Sequence, residues 1–143
     1  MPYEIPRWLE VGFGELQQGV AEIPGPASNP RINIYLVGVG AMPSDETPWC
    51  AAFVNHCLQS AGLNGTEKPN ARSYMNWGQP SEPVLGSVAV LWRGTPDGWQ
   101  GHVGFFLDQD GVAVYLLGGN QGDRVSVAQY PRQRVLGYRW PST

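Results

Sequence analysis

Charge and reactive side chains are both scarce in this sequence. Only 15% of the 143 residues are charged, against roughly 25% in an average soluble domain. Lys and Arg total 9, Asp and Glu total 12, and the formal net charge is −3. With no basic excess to neutralise a phosphate backbone, nucleic-acid binding is disfavoured. No apolar run reaches the roughly 18 residues needed to span a bilayer, so no membrane insertion is expected. The N-terminus MPYEIPRWLE lacks the basic patch and apolar stretch of a signal peptide, which points to synthesis in the cytoplasm. There are no repeats, low-complexity segments or linkers, so residues 1–143 are expected to form one domain. Cysteine and histidine are the scarcest reactive residues, with 2 of each. Any thiol or imidazole chemistry therefore has few candidates.

Glycine and proline are plentiful, with 19 Gly and 13 Pro beside 42% hydrophobic residues. That mixture describes a compact chain of short elements joined by many turns. IPRWLEVGFGELQQGV reads as an amphipathic helix with Trp8, Leu9 and Phe13 inward. Asn29-Pro30 can start a second helix through RINIYLVGVG, although its β-branched content leaves a strand open. TPWCAAFVNHCLQSAGL reads as a third helix, with Thr47 as N-cap, Pro48 in the first helical position and Gly62 at the C-terminal cap. A short helical piece is expected around 71–77. From residue 84 the texture changes to SVAVLWR, HVGFFLD, VAVYLLG, RVSVAQ and RVLGYRW, separated by turn signals. DQDG suits a hairpin turn. Helices followed by an antiparallel meander predict an α+β fold, one layer of helices on one sheet.

The two cysteines, Cys50 and Cys57, lie seven apart on the third helix, roughly 10 Å along its axis. That is too far for a disulfide between them. Cys50 falls in the first turn, where peptide dipoles and free N–H groups favour a thiolate. Cys57 falls mid-helix on the apolar side and reads as core. His56 is six residues from Cys50, on another face, and reads as structural. His102 opens the strand HVGFFL between Gly101 and Gly104, which leave room for close approach. In an antiparallel hairpin its end of the sheet is shared with Gly118–Gln121, where Asn120 and its neighbour Gln121 can bond an imidazole. Cys, His and Asn in that order, on a helix and then a sheet, form the papain-like arrangement. There a thiolate attacks a carbonyl, an imidazole shuttles the proton and an amide fixes the ring.

The blocks DETPWCAAFVNHCL, ARSYMNWG, VLWRGTPDGWQGHVGFF, LLGGNQGDRVSV and RVLGYRWP resemble the small CHAP-type and NlpC-type cell-wall amidase/endopeptidase superfamily, with its single-domain bacterial and phage members. The resemblance runs from Trp8 to Pro141. It implies that Cys50 is the nucleophile and His102 the base, with Asn120 as the third catalytic residue or Gln121 orienting the ring. Gly86-Ser87 stands where the family usually has Gly-Asp, and Gly118 where an acidic residue is common. The implied activity is hydrolysis of an amide in the peptide part of peptidoglycan. Asp45 and Glu46 could contact a substrate amine, and Trp49, Trp77, Trp99 and Tyr74 could line a groove. Arg72, Ser73 and Asn76 are polar near the same expected cleft. A substrate outside the inner membrane implies delivery by a holin, a phage particle or a contractile secretion apparatus, with an immunity protein as a possible partner.

Three rivals stand beside this reading. Zinc ligation by Cys50, His56, Cys57 and His102 is disfavoured, because two Cys seven apart on one helix do not make a closed tetrahedral spacing; no cofactor is expected. A non-catalytic cell-wall-binding module would use the 6 Trp, but would not need the Cys, His and amide set. An acyltransferase or transglutaminase-like enzyme would share the same nucleophile chemistry.

Overall fold

A computed structural model describes residues 4–23, 28–41 and 48–142. Three helices come first: α1 (Arg7–Gln17), α2 (Pro30–Gly38) and α3 (Cys50–Ser60). Asn29 caps α2 by accepting the Arg31 N–H at 2.8 Å, with Pro30 at the first helical position; the helical alternative is the one adopted. Helix α3 starts later than its capping residues suggested. Its N-cap is Trp49 and its first residue is Cys50, so Pro48 lies outside the helix; Thr47 lies outside the described residues. At the other end Gly62 follows in the left-handed region, with φ 83°, the usual way for a helix to stop.

The strands are β1 (Gln79–Pro80), β2 (Val88–Trp92), β3 (Gly101–Gln109), β4 (Ala113–Gly118), β5 (Ser126–Pro131) and β6 (Val135–Trp140). A 3₁₀ turn over Ala71–Asn76 precedes β1. The β3–β4 turn is held by Asp110, whose Oδ1 accepts the Val112 and Ala113 N–H groups at 2.8 Å. The sheet order is β1-β6-β2-β3-β4-β5. Strands β2 to β5 meander as expected, but β6 departs from the meander. It crosses back to pair antiparallel with β2, covering an edge that would otherwise stay open.

Helix α3 is the hub. Its Phe53 meets Tyr35 of α2 edge-on at 5.6 Å and Phe105 of β3 at 6.3 Å, joining the helical layer to the sheet. Truncating Phe53 to Ala would open a cavity costing about 3–5 kcal/mol. Val88, Val90, Val103, Phe105 and Leu117 face the helices, while Ala89, Leu91, Phe106, Val114 and Leu116 form a second cluster. Because both faces are covered, β2 reads as a continuous apolar run. The edge strand β5 alternates instead. On the second face the side chains of His102 on β3 and Tyr130 on β5 lean toward each other, with ring centroids 5.0 Å apart. Among the described residues, no helix is long and apolar enough to cross a membrane.

Candidate active site

Strand β4 pairs with β3 only from Phe105 onward, whereas β2 pairs with β3 from Gly101. The first residues of β3 therefore keep one side free, and the start of α3 meets them there. The Val103 N–H there acts on the Cys50 thiol, favouring its ionised form. His102, 1% exposed, belongs to the same short stretch. Helix start and strand start are thus brought together by the early end of β4.

The imidazole is fixed from behind by a chain of hydrogen bonds with one consistent polarity. The Gln121 amide donates from Nε2 to the carbonyls of Leu116 (3.2 Å) and Ser126 (2.7 Å). Carbonyls only accept, so the amide oxygen must point the other way, at His102 Nε2, 2.8 Å away. An amide oxygen also only accepts, so Nε2 carries the hydrogen. The Tyr130 hydroxyl approaches the same nitrogen at 3.2 Å. Nδ1 is buried without a hydrogen-bond partner and is the nitrogen left to exchange a proton with the Cys50 thiol. A loose thiol–imidazole contact is ordinary in an unliganded site, since catalytic hydrogen bonds tighten around substrate.

Electrostatics follow the geometry. Burial pushes the Cys50 thiol up. The charge of His102 and a hydrogen-bonding interaction with it, the Val103 N–H and the Arg93 guanidinium together outweigh burial and hold it below the ordinary thiol value. Burial raises the Tyr130 hydroxyl to about 12, so it stays protonated at neutral pH.

Asn120 does not make the imidazole contact. It sits at φ 58° in the turn after β4, a conformation asparagine tolerates. No hydrogen bond joins it to His102 among the described residues. The left-handed step at Asn120 turns the next residue inward, so Gln121 is buried at 5% exposure and reaches the ring. Gly118 leaves the space for this: a β-carbon there would lie 2.5 Å from the Gln121 amide oxygen. Tyr130 had no signal in the sequence, because it lies 28 residues from His102 and meets it only through the strand order β3-β4-β5.

A cleft of about 300 Å³ opens at Cys50, lined among others by Pro48, Asn70, Arg93, Trp99 and Gln100. Trp99 lines it and is 77% exposed. The other aromatic candidates are elsewhere. Trp49 is fully buried, packed on Tyr35, with its indole N–H on Glu22 at 3.0 Å. Tyr74 is fully buried in the core. Trp77 lines a separate pocket with Asn64 and Pro141, and its indole N–H donates to the Asn64 carbonyl at 2.8 Å. Asp45 and Glu46 lie outside the described residues. Arg72 pins the loop that carries Arg93 and Trp99, donating to the carbonyls of Thr95 (2.8 Å), Pro96 (2.9 Å) and Gln100 (2.7 Å).

Comparison with known families gives one result: the CHAP domain matches residues 42–120, over half of the chain. The matched stretch contains Cys50, His102 and Asn120 and stops one residue before Gln121. CHAP domains are typically hydrolases acting on peptidoglycan. No curated protein matches the chain.

Proposed function

This chain belongs to the CHAP-domain family, and we propose that it is a cysteine hydrolase cutting an amide bond in the peptide part of peptidoglycan through Cys50 and His102. The observation that carries this reading is an imidazole held by Gln121 with its free Nδ1 toward a thiol of lowered pKa at a helix start. His102 Nδ1 takes the thiol proton. The thiolate sulfur bonds the scissile carbonyl carbon, and the carbonyl electron pair moves onto oxygen. The first N–H groups of α3, that of Cys50 included, have no intrahelical acceptor and can meet this oxyanion. Collapse breaks the C–N bond. The leaving amine receives the proton from Nδ1 and leaves a thioester on Cys50. Water then attacks the thioester with His102 as base, giving the free acid and the thiol. Gln121 and Tyr130 keep Nε2 occupied throughout, so the ring neither flips nor changes which nitrogen faces sulfur.

The test is release of new amino groups from purified peptidoglycan. Wild-type protein should release them, and Cys50→Ala and His102→Ala should each stop the release while keeping wild-type circular dichroism. Full release by Cys50→Ala would overturn the reading.

A further inference from the structure

We propose that Arg93 makes the cleft beside Cys50 a carboxylate-binding subsite, so that the amide cut lies next to a free carboxylate of the peptide. This rests on Cys50 being the nucleophile and names a feature of its substrate.

The arginines of this protein are mostly engaged. Arg31 forks onto Glu15 at 2.6 and 3.0 Å. Arg72, Arg132, Arg134 and Arg139 each donate to backbone carbonyls. The Arg93 side chain has no ion pair or hydrogen bond among the described residues. It is exposed and lines the same cleft as Cys50. Its charge reaches both the Cys50 thiol and the Tyr130 hydroxyl. Among the described residues lining the cleft, Arg93 is the charged side chain and none is a carboxylate. The loop is already fixed by the three carbonyl bonds of Arg72, which lowers the ordering cost of binding. Pro48, Pro69 and Trp99 supply apolar wall beside the cation. The fitting occupant has a short aliphatic stretch ending in a carboxylate close to the scissile carbonyl. An acidic residue joined through its side-chain carboxyl has this form, because its α-carboxylate stays free. Guanidinium binds such a group with two parallel hydrogen bonds, and amidation of the carboxylate removes the charge they need.

The first test needs no peptidoglycan. Cys50 is alkylated with iodoacetate and with iodoacetamide, which differ in carrying a carboxylate or an amide, and labelling is read at the Cys50 peptide. Cys57 is fully buried and does not compete. The iodoacetate-to-iodoacetamide rate ratio should fall roughly ten-fold in Arg93→Gln, the scale of one charge-assisted contact, and lie between in Arg93→Lys. His102 adds the same anion preference to every variant and cancels. An unchanged ratio in Arg93→Gln overturns the subsite. The second test uses matched muropeptides, free acid against amidated. Wild type should prefer the free acid roughly ten-fold in kcat/KM, and Arg93→Gln should lose that preference. Cleavage of both peptides with no preference also overturns the subsite. A falling alkylation ratio with neither peptide cut supports the subsite and refutes peptidoglycan as substrate.

Discussion

Helix α3 carries two cysteines and two very different environments. Cys50 and Cys57 are both buried and both free, so burial alone would raise both thiols. Around Cys57, burial is reinforced by the neighbouring Glu15 carboxylate, and the thiol is pushed well above its ordinary value. Around Cys50, the His102, Val103 and Arg93 groups present positive charge and N–H dipoles, and the thiol is pulled below it. The sign of the surrounding charge decides which thiol is raised and which is lowered. The two histidines divide the same way. His56 lies 3.3 Å from Arg31 and 4.0 Å from Glu15, inside a polar cluster that joins α1, α2 and α3. His102 has Gln121 and Tyr130 on one nitrogen and leaves the other free.

The sharpest break of this contrast is removal of each sulfur. Cys50→Ala should lower turnover on the order of 10³-fold or more, whereas Cys57→Ala should keep turnover and cost about 1 kcal/mol of stability in a denaturant titration. Next comes the pH dependence of alkylation. The reactive thiolate forms as pH rises through the Cys50 pKa, so the wild-type midpoint should lie below the ordinary thiol range. His102→Ala, which removes the largest of the influences lowering it, should move the midpoint up. Gln121→Ala should lower kcat by roughly ten- to hundred-fold through loss of ring orientation. Gly118→Ala should follow it, since its new methyl displaces the Gln121 amide, and both variants should show wild-type circular dichroism. Tyr130→Phe should cost less, roughly three- to ten-fold, because the Gln121 bond remains.

The smallest catalytic effect belongs to the other cluster. Glu15 is only 3% exposed and bonded by Arg31 and Tyr35. Burial raises its carboxyl, but those bonds outweigh burial and leave it below the ordinary value. Its stabilisation is therefore present above the unfolded carboxylate range and lost as pH falls through the folded value. His56, depressed mainly by burial, acts in the same direction, because the unfolded chain takes up its proton first. Glu15→Gln should cost about 2 kcal/mol at neutral pH and flatten the acid limb of stability, leaving the Cys50 alkylation midpoint unmoved.

What could be read from the sequence was what depends on local placement. Cys50 and His102 each stand at the start of an element, and the helix and strand periods locate those starts. Cys57 declared itself by its apolar helix face. The choice between Asn120 and Gln121 turned on one left-handed step after Gly118-Gly119, which inverts inward and outward and leaves no mark on periodicity. Tyr130 and β6 needed the strand order of the sheet, set by pairing between distant segments. Trp49 and Trp99 are the same residue type, and only packing assigns one to the core and the other to the cleft. Arg93 stood out only once packing placed it, with no side-chain partner among the described residues, in the cleft beside Cys50.

Hydrolysis of a peptide amide by Cys50 is tested most directly by mass spectrometry of peptidoglycan fragments. Wild-type digests should contain peptide pairs that together have gained one water at an amide, absent from Cys50→Ala digests. Fragments broken only in the glycan strand would contradict it, as would peptides that gain an amine instead of water.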